Sequence, residues 1–113
     1  MWNGMELVRP VSAAGRRVLL VQVAVAELTG VELVRICTDK RGHPRAATAR
    51  QMAMYLCHLV FDMNASSVGR LFGRDRRTVR YALQRIEDLR EDPELDRTLT
   101  WLEASLRRTG GRA

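Results

Sequence analysis

The stretch Asn64–Leu89, NASSVGRLFGRDRRTVRYALQRIEDL, decides how this chain is read. It divides at Gly73 into two helix-forming segments. In the second, Val79, Ala82, Leu83, Ile86 and Leu89 recur at i, i+3, i+4, i+7 and i+10, the pattern of a helix with one buried face. Five arginines, Arg70, Arg74, Arg76, Arg77 and Arg80, fall within eleven residues and are opposed only by Asp75. Two short helices, a glycine turn and a cationic outer face make a helix-turn-helix.

Local chemistry supports that division. Asn64 suits the N-cap of a first helix over Ala65–Phe72, with Val68, Leu71 and Phe72 facing inward. Gly69, inside that helix, costs about 1 kcal/mol relative to alanine, which a close approach of the next helix would justify. Gly73 permits the sharp turn. Asp75 opens the second helix, where its carboxylate can accept from the backbone N–H of Arg77 or Thr78; a base contact is the alternative. Arg76, Arg77, Arg80, Tyr81 and Gln84 stand off the apolar stripe. A solvated basic face is the plain reading of them. Against it stands position: the first turns of a second helix are where such motifs meet base edges, and arginine's fork matches guanine or phosphate.

Upstream, the spacing predicts a long helix over Pro44–Asp62, with proline at the first position, where its missing N–H costs nothing. Ala49, Met52, Ala53, Leu56, Leu59 and Val60 form its apolar face, and Arg45 and Arg50 fall on other faces. A polar connection over residues 38–43, carrying Lys40 and Arg41, joins it to a short helix at about Val31–Cys37, in which Val31, Val34 and Ile36 face the core. The first helix runs from Ser12 or Ala13 to Leu28, capped by Ser12 and closed by Gly30. Valines at 18, 21, 23 and 25 leave a strand open, but the length and the lack of strict alternation favour a helix. Downstream, Asp92-Pro93 opens a last helix that runs to about Arg107. Its leucines at 95, 99, 102 and 106 serve the core or a dimer, and the small domain favours the core. Residues 1–11 and 109–113 read as flexible tails around one domain, 12–108.

Composition sets the outer limits. The chain has 113 residues, 46% apolar and 5% aromatic, which allows one domain with an aliphatic core. A net charge of +6 favours a polyanionic partner. Cys37 and Cys57 show no C-x-x-C spacing. Grouped with His43 and His58 they fail as a metal quartet, because Cys57 and His58 are adjacent and point about 100° apart on a helix, so no metal is expected. No apolar run nears the ~20 residues of a membrane span. Arg16-Arg17 before Val18–Ala26 imitates a twin-arginine export signal, but Gln22 interrupts the run and an amphipathic first helix is the plainer reading. Phosphate loops, nucleotide fingerprints and nucleophile elbows are all missing, so neither an enzyme nor a cofactor is expected.

The segment Ala49–Leu56 (ARQMAMYL), followed by Val68–Leu89 (VGRLFGRDRRTVRYALQRIEDL), resembles the C-terminal DNA-binding domain of the bacterial replication initiator DnaA. The resemblance covers about residues 18–107. It implies an all-α fold, a compact bundle of about six helices with a TrpR-like helix-turn-helix, that binds short asymmetric DNA boxes as a monomer. It implies Arg50, in the ARQ motif, as the arginine that reaches the minor groove. The family's aspartate-histidine-threonine-threonine reading segment falls on Asp75, Arg76, Arg77 and Thr78. Asp75 and Thr78 match, whereas Arg76 and Arg77 replace the histidine and the first threonine and should seek guanines or phosphates instead of thymine methyls. The turn, with a single Gly73 before Arg74, is one residue shorter than in many members. Arg80 joins the major-groove set, and Arg70, Arg74, Lys40 and Arg41 are the expected phosphate contacts.

The expected function is non-enzymatic, sequence-specific binding of double-stranded DNA in replication-initiation control or transcription regulation. The expected carrier is a free-standing cytoplasmic protein without the initiator's ATPase module and without membrane attachment, and replication or transcription proteins are further expected partners. The alternative is a protein-interaction module whose basic face docks an acidic partner of the replication machinery.

Overall fold

The computed structural model describes residues 12–38 and 43–110. Every regular element among them is a helix: α1 Ala13–Thr29, α2 Leu33–Thr38, α3 Pro44–Phe61, α4 Ala65–Phe72, α5 Arg76–Leu89 and α6 Pro93–Gly110. The strand alternative for the first segment is therefore set aside. Ser12 Oγ accepts the Gly15 N–H at 3.0 Å, and Gly30, at φ 74°, closes α1 by donating to the Ala26 carbonyl.

α2 starts two residues later than the sequence suggests. The Val31 N–H is taken by Thr29 Oγ1 at 3.2 Å, which holds the backbone in the turn. Val31 and Ile36 are buried as expected, but Val34 is 59% exposed and does not face the core. Two residues along a helix is a rotation of about 200°, so a helix that buries Ile36 must turn Val34 outward.

α3 is the hub. It packs against α1, α2, α4, α5 and α6. Ala46, Ala49, Met52, Ala53, Met54, Tyr55, Leu56 and Cys57 are all buried, so α3 is covered on nearly every face. α1 meets α2, α3 and α6, while α4 and α5 meet each other and α3. α3 thus stands between α1 and the helix-turn-helix. Leu99, Leu102 and Leu106 of α6 are buried and Leu95 partly so, which assigns that stripe to the core. α6 continues to Gly110, so residues 109 and 110 belong to a helix and not to a tail. The expectations for residues 1–11, 39–42 and 111–113 lie outside the described residues.

Local capping builds the helix-turn-helix. Asn64 Oδ1 accepts the Ser67 N–H at 2.8 Å to start α4. Gly73 takes φ 67° at its end, and the Arg74 N–H reaches back to the Gly69 carbonyl at 2.8 Å. A Cβ on Gly69 would stand 2.5 Å from the Arg74 carbonyl oxygen and 3.4 Å from the Arg76 nitrogen. The glycine is what lets the turn and the start of α5 press against α4. Val68 and Phe72 are buried, but Leu71 is 37% exposed, a correction to its inward placement. Val68 and Phe72, one turn apart, centre the buried face of this short helix and leave Leu71 at its rim.

Candidate nucleic-acid interface

Asp75 has extended backbone angles, and its Oδ1 accepts the Arg77 N–H at 2.7 Å, so its carboxylate caps α5. Val79, Ala82 and Ile86, each with 0% exposure, pin the inner face of α5. On the opposite face lie Arg77, Arg80, Tyr81 and Gln84, all exposed, with Arg76 and Thr78 exposed at the flanks. Among the described residues, the side chains of Arg76, Arg77 and Arg80 meet no hydrogen-bond or ion-pair partner. The row from Arg77 to Gln84 rises about 10.5 Å, close to three base-pair steps. It stops where Gln84 Nε2 donates to Asp88 Oδ1 at 2.9 Å. Beyond it the surface is acidic, with Glu87, Asp88 and Glu91 exposed. The cationic end of α5 coincides with the positive end of its dipole, so both favour an anion at the same place.

The remaining expected contacts divide. Arg70 is exposed, with Nη2 3.3 Å from Ser67 Oγ. Arg74 is half-buried and folds its guanidinium back on the Phe72 and Gly73 carbonyls, each at 3.3 Å, at the C-terminal end of α4. Lys40 and Arg41 lie outside the described residues. Arg50 departs furthest from expectation. It is not on an outward face of α3 but buried, at 8% exposure, with Nε on the Ile36 carbonyl at 2.8 Å and Nη2 on the Arg35 carbonyl at 3.0 Å. The reason is the hub position of α3: a cation buried there needs acceptors, and the last carbonyls of α2 have no partner within their own helix. The same site raises the Cys37 pKa through burial, which the nearby Arg50 charge partly offsets.

Two arginines that sequence reasoning passed over set the pose of α5. Arg85 Nη1 donates to Gln51 Oε1 at 2.6 Å and Thr48 Oγ1 at 3.2 Å, tying α5 to α3. Arg90 donates to Asp96, Glu103, Thr100 and the Tyr55 hydroxyl, joining α3, the end of α5 and α6. Tyr55 in turn donates to Glu87 Oε2 at 2.6 Å. Burial works against the Arg90 cation, but the hydrogen bonds it donates to Asp96, Tyr55 and Glu103 outweigh it and raise its pKa. Burial and the bond to Glu87 push the Tyr55 phenol up as well. Only the position of Arg90, just after the last apolar residue of α5, hinted at its role, since a cation suits a helix C-terminus. Burial pushes the Cys57 thiol up to about 12, so it is packing and not a nucleophile. Among the described residues, no three His, Cys, Asp or Glu side chains gather as metal ligands. No described helix is long and apolar enough to cross a membrane.

A family model described as the bacterial dnaA protein helix-turn-helix matches residues 18–86. The chromosomal replication initiator protein DnaA of Tropheryma whipplei (strain Twist) is 39% identical over 70 residues, which is 59% of this chain and 15% of that protein. The DnaA protein of Caulobacter sp. (strain K31) is 34% identical over 106 residues, 89% of this chain and 22% of that protein. The chain therefore spans less than a quarter of the length of these relatives. A crystal structure of a DNA replication initiation factor superposes with a TM-score of 0.77 at 26% identity, covering 87% of this chain and 30% of that one.

Proposed function

The chain belongs to the bacterial DnaA helix-turn-helix family, and from that premise we propose that it binds double-stranded DNA sequence-specifically, without catalysis, in the control of replication initiation or transcription. The observation that carries this reading is the exposed row of Arg76, Arg77 and Arg80 at the N-terminal end of α5, whose side chains have no hydrogen-bond or ion-pair partner among the described residues. α5 enters the major groove by that end. Arg77, in the middle of the outer face, reads a base edge, and guanine O6/N7 is the bidentate match for its fork. Arg76 and Arg80 flank it, and Thr78 adds a hydroxyl. Arg70 and Arg74, with Lys40 and Arg41 from the connection, neutralise phosphates and fix the register. The acidic end of α5 is repelled by the backbone, so only one end of the helix is admitted.

Arg50 has a separate part. On binding, its guanidinium exchanges the Arg35 and Ile36 carbonyls for acceptors in the minor groove. Charge-assisted hydrogen bonds are lost and gained in kind, and the α2 carbonyls that Arg50 leaves must be taken up by water. Each box takes one copy of the chain, in the cytoplasm.

Selection of bound duplexes from a random pool, with mobility shifts at two salt concentrations, tests the proposal. Guanines should be enriched within the few base pairs beneath Arg76, Arg77 and Arg80. Arg77→Ala should cost about 1–3 kcal/mol and relax preference at one base pair. Removing a phosphate contact instead should weaken all sequences alike and reduce the slope of log K against log salt by about one. Failure to bind any duplex at low salt would refute DNA binding and leave the basic face to an acidic protein partner.

A further inference from the structure

A groove of about 340 Å³ runs between α1 and α6, lined by Leu20, Ala24, Leu28, Leu102 and Leu106, with Trp101 on its wall and 60% exposed. We infer that this groove is a self-pairing surface, in which each of two copies seats its Trp101 indole in the hollow of the other.

The composition of α1 is the first support. Val18, Val21 and Val25 are buried in the core, yet Leu19, Val23 and Leu28 on the outer side remain 47%, 37% and 43% exposed. Leu28 lines the groove, and apolar surface left open beside a hollow marks a contact site.

Shape is the second support. An aromatic knob and an apolar hollow large enough to take it lie side by side on one face. That is what a two-fold interface requires, because each copy must offer what it receives. Tryptophan is also among the residues that carry most of the energy of such contacts. Charge is the third. Glu27 lines the groove, and Arg108, exposed two residues before the C-terminal end of α6, bonds Ser105 on the same wall. A rim with both signs suits a second copy, whose Glu27 and Arg108 can face this copy's Arg108 and Glu27, better than it suits a partner of one charge.

α3 separates α1 from α4 and α5, so pairing here leaves both reading helices uncovered. On the DNA-binding reading proposed above, one pair holds two boxes at once; the pairing itself does not depend on that reading. One indole and a few aliphatic side chains from each copy fall toward the small end of specific interfaces, below about 1,200 Å² in total. Association is therefore weak and concentration-dependent.

Sedimentation equilibrium of the full chain without DNA, from micromolar to several hundred micromolar, tests the pairing. The mass should rise from one chain of 12.9 kDa toward two. Trp101→Glu and Leu28→Lys alter exposed positions and should keep the parent's circular dichroism while weakening association tenfold or more. A chain that stays monomeric throughout would overturn the inference, as would association untouched by both substitutions. Mobility shifts on a random-sequence duplex at low salt read DNA binding separately: both variants should bind as the parent does, and a loss in both would place this groove in the DNA interface and overturn the pairing.

Discussion

Replacing Gly69 with alanine sets helix propensity against tertiary contact. Propensity alone favours alanine by about 1 kcal/mol in a helix interior. Contact opposes it, because a Cβ there would lie 2.5 Å from the Arg74 carbonyl oxygen and 3.4 Å from the Arg76 nitrogen. Both are backbone atoms, so no rotamer relieves the overlap. To restore ordinary contact at 3.4 Å, the turn must retreat by roughly 0.9 Å. Overpacking of this kind costs about 1–3 kcal/mol, and a yielding backbone belongs at the upper end. The net expectation is a loss of about 1–2 kcal/mol, or a melting point lower by roughly 4–15 °C for a domain of this size. The displaced segment carries the Asp75 cap and Arg76, so duplex affinity should fall as well, measured at a temperature where both proteins are folded. Gly73→Ala is the control. It has φ 67° and nothing within 4 Å, so its cost is the left-handed backbone alone, about 1–2 kcal/mol. Thermal and urea denaturation decide the matter: a Gly69→Ala chain as stable as its parent, or more so, refutes the close-approach argument.

The other predictions use the same two measurements. Asp75→Ser keeps an N-cap acceptor and should hold stability within a few tenths of a kcal/mol, whereas Asp75→Ala should lose about 1 kcal/mol; if Asp75 only caps, the Ser variant will select the same duplexes as the parent. Arg76→His combined with Arg77→Thr removes two exposed side chains without partners, so urea stability should change by less than about 0.5 kcal/mol while the selected sequence shifts. Arg90→Met strands the acids it joins; removing one partner of a buried pair costs about 3–5 kcal/mol, and the 16% and 13% exposure of Arg90 and Glu103 calls for a discount to about 2–3 kcal/mol in urea. At alkaline pH the folded chain retains protons that the unfolded chain releases, since the Cys57 pKa is raised from 9.0 to about 12 and that of Tyr55 is raised too. Stability should be intact below about pH 9 and decline above it, with Cys57 contributing up to about 1.4 kcal/mol per pH unit; urea midpoints against pH should lose that part of the slope in Cys57→Ala.

What was legible from sequence is what the chain settles over short distances. Ser12, Asn64 and Asp75 mark helix starts because a cap acts within three residues, and Gly30 and Gly73 mark ends because the left-handed turn is a local demand. The apolar stripes of α5 and α6 were legible because burial follows the helical period. Val34 and Leu71 were misplaced because their direction depends on which neighbours press on two short helices. The settings of Arg50, Arg85 and Arg90 were hidden for a different reason. Their partners lie 14, 34 and 13 residues away at Ile36, Gln51 and Glu103, and no sequence spacing announces a guanidinium on a distant carbonyl, amide or carboxylate.

That division among the arginines bears on how this fold carries a reading face. Arg50, Arg74, Arg85 and Arg90 close helix ends or tie helices together, whereas the side chains of Arg76, Arg77 and Arg80 have no hydrogen-bond or ion-pair partner among the described residues. The net charge of +6 therefore overstates what an uncommitted face offers a polyanion. More to the point, two non-overlapping sets of side chains act on α5. Gly69, Asp75, Val79, Arg85 and Ile86 decide where the helix lies; Arg76, Arg77 and Arg80 decide what it presents. Because the second set is exposed and makes no hydrogen bond or ion pair among the described residues, it can change at little cost in stability. On the DNA-binding reading proposed above, Arg76 and Arg77 would set the target on a frame that the other set holds, so the preferred DNA sequence must be read from the side chains themselves.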